Sequence, residues 1–386
     1  MNILVVSDSY VPTISGVANS TESIARYLVS RKHTVTVICP APIAGSTGEA
    51  VKGLTIVTAP SIKDPLFAGK PMTPFPLGAW VIGKAMRGGA FDVVHIQEPG
   101  SLGILALLFA KIRHIPTVGA EHTMPQQMAT FFGPFYKFGL WVAHAWIRMV
   151  YGHYDAIMTP TKTMAQQLIN LGVQVPIHPV SNGIDIQKYT PAARHSRVKT
   201  PFSFPKQKIL FGYLGRIDMD KHLDIAIRAM TKTDPGVHLV VAGFGKEQEV
   251  LVTLAKELRV SDKVTFIGSL KEPEIIELYR ELDCFIIPSP VESQSIVTLQ
   301  AIASGLPVLA ANAGALPELV HDGKNGFLVK TDDFEGFAQK MNVLAKDVVL
   351  RRKFSVESRR ISITHDKPKA LHKLEKLYLS LQSGAV

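Results

Sequence analysis

Short runs of β-branched and aliphatic residues, bounded by Gly, Pro, Asn or Asp, alternate along this chain with longer stretches whose apolar positions recur at helical spacing. Such alternation predicts βαβ units and a parallel sheet, and the pattern occurs twice. In the first half, strands are predicted over 3–7, 34–39, 54–58, 93–96, 117–120, 156–160 and 177–180, with helices over 19–30, 102–113, 136–151 and 162–171. In the second half, strands are predicted over 209–214, 238–242, 264–267, 284–287, 307–311 and 326–329, with helices between them. Pro191, Pro201 and Pro205 punctuate a stretch without apolar periodicity, which reads as a linker over 191–205. Beyond Asp332 the chain reads as continuously helical. Leu371, Leu374, Tyr378 and Leu381 give its last helix one apolar face, which needs a surface to cover it. The expected fold is α/β with two parallel-sheet domains: 1–190, to which the helix 368–386 returns, and 206–367.

Composition narrows this picture only slightly. A chain of 386 residues exceeds what one core usually organises, and 46% hydrophobic with 19% charged residues excludes a disordered protein. Cys39 and Cys284 each fall inside an apolar run, so both are expected as buried free thiols, in keeping with a reducing cytosol. The start MNILVVSDSY lacks the basic flank and cleavage site of a signal peptide. The longest apolar stretches, 102–112 and 138–150, are interrupted by Lys111, His144 and Arg148 and fall short of the roughly 20 residues of a membrane span. A net charge of +10 suits nucleic acid, anionic lipid or a phosphorylated small molecule, and charge alone does not choose among them.

Motifs make the choice. No GxGxxG follows the first strand; a long loop holding Gly16 leads into the first helix instead, and taken alone Gly16 is a turn glycine. In the second half, GRIDMDKH places Arg216 and Lys221 just past a strand, at the carboxyl edge where α/β sheets bind ligands. A planar guanidinium and a mobile ammonium together suit a departing diphosphate. Further on, CFIIP runs into a loop with Glu292, after which Ser293 is placed to cap a helix. The free amides of that helix around Ser295, Ile296 and Val297 favour a phosphate, and Gln300 lies about two turns in.

These segments, in this order, resemble the retaining glycosyltransferases of the two-Rossmann-domain architecture, family 4, including bacterial diacylglycerol glucosyltransferases and phosphatidylinositol mannosyltransferases. The resemblance runs from residue 1 to about 385 and includes DVVHIQEP, AEHT, VSNGIDIQKYTP and VAGFGKE. It implies two Rossmann-like domains facing across a cleft, closing about the linker on a UDP- or GDP-sugar held by the second. Gly16 would face the diphosphate, Arg216 and Lys221 bind it with the amides of Ser295, Ile296 and Val297, Glu292 meet the sugar, and His122 assist transfer. Neither cofactor nor metal is implied. Asp218 and Asp220 form a DxD, the metal motif of the other glycosyltransferase architecture, but they sit inside the Arg216–Lys221 loop.

Three positions depart from the family pattern. Gln300 replaces the second glutamate of E-x7-E, which usually holds the ribose; His222 stands where glycine is frequent; Gln97 replaces a frequent histidine. The acceptor is read from FFGPFYKFGLWVAHAWIRMVYGHYD with Lys137 and Arg148, and from the basic stretch 60–89 with Lys63, Lys70, Lys84 and Arg87. Basic, aromatic surfaces of this kind suit an anionic lipid interface. The expectation is a cytoplasmic enzyme of glycolipid biosynthesis, held peripherally at the inner membrane face and glycosylating a lipid. A soluble sugar or polysaccharide acceptor is the alternative, and a non-catalytic nucleotide-sugar binder, raised by Gln300, is a third reading. No nucleic-acid reading motif is present.

Overall fold

The computed structural model describes residues 1–13, 15–43, 52–64, 71–130, 132–191 and 202–384. The chain divides into two compact units, Met1–Asn182 with Pro368–Val386, and Gly183–Lys367.

In the first unit the strands are β1 (Asn2–Val6), β2 (Thr34–Pro40), β3 (Leu54–Ala59), a short antiparallel pair β4 (Ile62–Lys63) and β5 (Pro71–Met72), then β6 (Val93–Ile96), β7 (Thr117–Ala120), β8 (Ala156–Thr159) and β9 (Ile177–Pro179). All but the short pair form one parallel sheet in the order β3-β2-β1-β6-β7-β8-β9. The order reverses at β1, between β2 and β6, so the carboxyl ends of β1 and β6 border the crevice where such sheets take ligands. Between strands run α1 (Gly16–Ser30), α2 (Phe75–Gly88), α3 (Ser101–Ile112), α4 (Pro125–Thr130), α5 (Tyr136–Tyr151) and α6 (Lys162–Asn170). One sheet face is covered by Ile82, Leu105, Ile147 and their neighbours, the other by Ile24 and Leu28 of α1.

The second unit repeats the plan. Its strands β10 (Ile209–Arg216), β11 (Val237–Phe244), β12 (Val264–Gly268), β13 (Cys284–Ile287), β14 (Val308–Ala311) and β15 (Gly326–Val329) form a parallel sheet in the order β12-β11-β10-β13-β14-β15, so β10 and β13 stand where β1 and β6 do. Its helices are α7 (Leu223–Ala229), α8 (Gln248–Glu257), α9 (Glu272–Glu281), α10 (Ile296–Ala303), α11 (Phe334–Lys346) and α12 (Val348–Thr364). The last helix, α13 (Lys367–Gln382), returns to the first unit and buries Leu371, Leu374, Leu377, Tyr378 and Leu381 beside Val93 and Val118. Each such side chain contributes about 1.5–3 kcal/mol on burial. Its Glu375 accepts from the Arg31 side chain at 3.3 Å and from the Tyr27 hydroxyl at 3.2 Å, and His33 and His372 lie at 3.0 and 3.1 Å. Burial pushes that carboxyl up, but these partners outweigh it and hold it down at about 2.

Some expectations give way. The first passage between units falls at Asn182/Gly183 rather than at a linker over 191–205, of which 192–201 lie outside the described residues. Residues 183–191 belong to the second unit because Arg359 donates to the carbonyls of Ile186 and Tyr189, and the Ile184 N–H donates to His365 O at 2.8 Å. The basic stretch 60–89, for which no element was predicted, contains α2, a helix with an apolar buried face of Val81, Ile82 and Met86. The helical tail is broken into α11, α12 and α13 by Asp347 and the 365–366 turn. Cys39 and Cys284 are buried free thiols, as expected.

Candidate active site

Arg216 is the last residue of β10, and Lys221 ends a single 3-10 turn, Met219–Lys221. The next residue, His222, has φ of +48°, a left-handed backbone that glycine adopts at least cost, which accounts for the glycine frequent there. His222 Nδ1 lies 2.8 Å from Asp332 Oδ1. Glu292 comes from the loop after β13, where Ala315 N–H donates to its carbonyl at 2.9 Å. Gly314, at φ +54°, passes so close that a Cβ would sit 2.8 Å from the Glu292 backbone N and O.

These elements bring the predicted charges together. Lys221 Nζ lies 2.8 Å from Glu292 Oε1 and 3.3 Å from Asp220 Oδ2, with the lysine and Glu292 side chains each only 12% exposed. Burial alone would lower the lysine, but Glu292 and Asp220 outweigh it and raise its pKa. Arg216, more than half exposed, pairs with Asp218 and, at 3.2 Å, with Asp220. The DxD carboxylates therefore neutralise cations in this structure. Among the described residues no group of three or more His, Cys, Asp or Glu is arranged to hold a metal ion.

Beside this cluster α10 begins at Ile296. Its N-cap is Ser295, not the expected Ser293: the Ser295 hydroxyl accepts from Thr298 N–H at 3.3 Å. The first turn of α10 carries no acidic residue, and its partly buried start presents the amides of Ile296 and Val297. Gln300 does not stand alone in the second turn. Its Oε1 accepts from the Tyr279 hydroxyl at 3.1 Å and its Nε2 donates to Tyr189 Oη at 2.9 Å. Neither tyrosine stood out in the sequence, because no local spacing ties Tyr189, in VSNGIDIQKYTP, or Tyr279 to position 300.

In the first unit Gly16 opens α1, and a Cβ built on it would meet nothing within 4 Å. The fold itself makes no demand for glycine there. His122 follows β7, and its Nε2 lies 3.0 Å from Gln97 Oε1, at the end of β6. Burial holds the His122 ring neutral, with its pKa lowered to about 4. Glu121 accepts from the Thr123 N–H at 2.8 Å, while burial pushes its carboxyl up to about 7. His95 and Tyr378 complete the set around Gln97. One signal was available in advance: His95 and Gln97, two apart, put two polar side chains on one face of an otherwise apolar strand.

Two parallel sheets with reversed strand order, each with a loop-rich carboxyl edge, and a cation cluster beside a helix start in the second unit define a nucleotide-sugar transferase. Residues 14–188 match the family model described as Glycosyltransferase Family 4, and residues 196–360 that described as Glycosyl transferases group 1. The chain is 28% identical over 365 residues to a GDP-mannose-dependent alpha-mannosyltransferase of Mycobacterium tuberculosis, covering 93% of this chain and 91% of the relative. It is 27% identical to a glycogen synthase of the same species, covering 100% and 96%. Among solved structures, Anabaena HepE in complex with UDP and glucose superposes with a TM-score of 0.78 at 20% identity, covering 98% of this chain and 100% of that one. The chain belongs to the family 4 glycosyltransferases, and it is a hexosyltransferase that uses a nucleotide sugar.

Proposed function

We propose that the enzyme moves glucose or mannose from a UDP- or GDP-sugar onto a lipid of the diacylglycerol or phosphatidylinositol type at the cytosolic membrane face. Transfer retains the anomeric configuration and needs no metal. The observation that carries the donor half is the Lys221–Glu292 pair with Arg216 at the β10/β13 edge, next to the open start of α10. As the bond from the sugar to the diphosphate breaks, its leaving oxygen gains negative charge, which Arg216, Lys221 and the amides of Ile296 and Val297 stabilise. Glu292 holds Lys221 in place and meets the sugar. The acceptor hydroxyl attacks the anomeric carbon from the face the diphosphate leaves, and the departing phosphate oxygen takes its proton.

The acceptor half rests on exposed aromatics beside cations in the first unit. On α2, Trp80 is 59% exposed, with Lys84 Nζ 5.3 Å from its ring centroid and Arg87 one turn on. On α5, Phe138 stacks on Trp141 at 5.9 Å, both exposed, with Lys137 and Arg148 on the same helix. Apolar rings with basic neighbours bind the anionic interface by burial and charge together. Lys70, also expected here, lies outside the described residues, and no described helix is long and apolar enough to cross a membrane.

The test presents UDP- and GDP-glucose and -mannose with diacylglycerol or phosphatidylinositol in anionic liposomes, with and without EDTA. A glycolipid whose linkage by NMR retains the donor's anomeric configuration, formed equally in EDTA, is expected. An inverted product refutes retention, and dependence on added Mg²⁺ or Mn²⁺ turns Asp218 and Asp220 into metal ligands. The likeness to a glycogen synthase favours a second reading, a soluble sugar or polysaccharide acceptor. Transfer to oligosaccharides with no binding to liposomes at low salt would establish it. Failure to turn over or hydrolyse any donor that binds would leave a nucleotide-sugar-binding protein.

A further inference from the structure

A chain of buried polar groups runs through the first unit from α13 to His122. Tyr378 Oη hydrogen-bonds His95 Nδ1; the Gln97 amide nitrogen lies 3.0 Å from His95 Nε2 and 3.3 Å from its Nδ1; and Gln97 Oε1 lies 3.0 Å from His122 Nε2. Tyr378, His95 and Gln97 are completely buried. The Tyr378 and His95 rings meet edge-on at 5.6 Å. The flanking β6 residues Val93, Val94 and Ile96 are equally buried and apolar, so leucine or valine would fill the strand without the desolvation cost of an imidazole and an amide.

Proton bookkeeping gives the chain a direction. An amide oxygen only accepts, so His122 must carry its proton on Nε2. An amide nitrogen only donates, and its shorter approach is to Nε2, so His95 presents a bare Nε2 to it and carries its proton on Nδ1, donating it to the Tyr378 oxygen. Burial supports this by keeping both rings neutral, with His95 lowered to about 3. We propose that Tyr378, His95 and Gln97 are positioning residues that fix the tautomer of His122, leaving its Nδ1 as the hydrogen-bond acceptor offered to the sugar substrate. Glu121 does the complementary work on the backbone, accepting from the Thr123 amide next to His122. The function assigned to the tautomer rests on reading His122 as a residue that meets the sugar.

Removing the Tyr378 hydroxyl takes away the acceptor for His95 Nδ1–H, and a buried unpaired N–H is costly. His95 then protonates Nε2, the Gln97 amide turns over, and its NH₂ faces His122, which moves its proton to Nδ1. The experiment is ¹⁵N NMR of histidine-labelled full-length protein, with the His122 signals assigned by their loss in His122→Asn. The unmodified protein should show His122 protonated on Nε2. Tyr378→Phe should populate the Nδ1–H form and lower kcat about three- to tenfold with donor KM unchanged. Gln97→Met, which cuts the chain beside His122, should show both tautomers and serves if Tyr378→Phe does not fold. Protonation on Nδ1 in the unmodified protein, or His122 signals unmoved by the variants, overturns the proposal. Near-normal turnover in His122→Asn would sink the sugar-contact reading alone, since the NMR signals still decide whether the chain sets the tautomer.

Discussion

Two helices hold the same place in the two units and begin in opposite electrostatic settings. α3 follows β6 and α10 follows β13, each strand lying beside the first strand of its sheet, at the point where strand order reverses. In the first unit the loop after β1 supplies Asp8, whose carboxylate accepts from Leu102 N–H at 3.2 Å and Gly103 N–H at 3.4 Å, so the protein's own anion occupies the start of α3. Burial pushes this carboxyl up even though those amides pull it down. In the second unit the first strand ends in Arg216 and is followed by Lys221, and α10 is capped by a neutral serine. One helix start is filled from within by a carboxyl, and the other has no acidic residue in its first turn and cations alongside. The same fold thus closes one helix start with a buried carboxyl and flanks the other with ion-paired cations.

The largest effects should come from breaking the charged half. Arg216→Ala and Lys221→Ala are each expected to lower turnover by roughly 10²-fold or more, because each removes a charge facing the leaving diphosphate. They should differ in stability. Arg216 is mostly exposed and its loss costs little, whereas losing Lys221 strands the Glu292 carboxylate in a nearly buried site, at about 3 kcal/mol. Steady-state kinetics and urea denaturation separate the two quantities. Near-normal kinetics in either variant would remove the donor site from the β10/β13 edge. Asp8→Ala sharpens the contrast: it should cost about 1 kcal/mol as a lost cap and leave nucleotide affinity unchanged.

The charged half was legible in the sequence because its residues sit close in the chain to strand ends, where position predicts exposure at a ligand edge. Arg216, Lys221 and Glu292 were placed this way, and the structure brings all three together. The buried half was not legible. Tyr378 reaches His95 across 283 residues, and its spacing in α13 marks it as an apolar face residue, which it also is. Asp8 as the cap of α3 joins residues about 94 apart, a contact no local pattern encodes. The boundary at Asn182 was missed for a similar reason: proline content marked 191–205, while the contacts tying 183–191 to the second unit come from distant Arg359 and His365.

Acid should separate the two halves. His95 and His122 have pKa values lowered to about 3 and 4 from an ordinary 6.5, so their contribution is full above 6.5 and is lost as pH falls toward those values. Glu121, raised to about 7 from 4.5, acts oppositely: its contribution is full below 4.5 and fades as pH rises to 7. Between about pH 7 and 4.5 the gain from one carboxyl offsets only part of the loss from two rings. Below 4.5 the offset ends, and Glu375, lowered to about 2, begins to lose its contribution as well. In the second unit Lys221, raised from 10.5, loses its contribution only in strong alkali, while buried His238, lowered chiefly by burial, is an acid-sensitive group there. All three tryptophans, Trp80, Trp141 and Trp146, lie in the first unit, so their fluorescence reports that unit alone. It should decline gradually from pH 7 to 4.5 and then collapse, ahead of the full loss of helical circular dichroism. Simultaneous transitions by the two probes would mean that the second unit is as acid-sensitive as the first.

The smallest expected effect tests a neutral spot inside the charged half. Gln300 accepts from Tyr279 and donates to Tyr189, whose hydroxyl is in turn hydrogen-bonded to Glu272. In Gln300→Glu the carboxylate keeps the Tyr279 bond but loses the N–H that Tyr189 accepted. Tyr189 has one hydrogen, so it must then choose between Glu272 and the new carboxylate, at a stability cost of about 1 kcal/mol. Against this, a carboxylate accepts from ribose hydroxyls more strongly than an amide does, by about 1 kcal/mol, which is roughly fivefold in affinity. Calorimetric titration of UDP and GDP into the variant should therefore show a tighter complex from a slightly less stable protein. Tyr189→Phe in the same background should recover part of the stability, because it removes the hydroxyl that both carboxylates compete for, while leaving the affinity gain in place. An affinity equal to that of the unmodified protein would mean that position 300 does not face the ribose, and that its amide serves only to tie the 183–191 segment to α9 and α10.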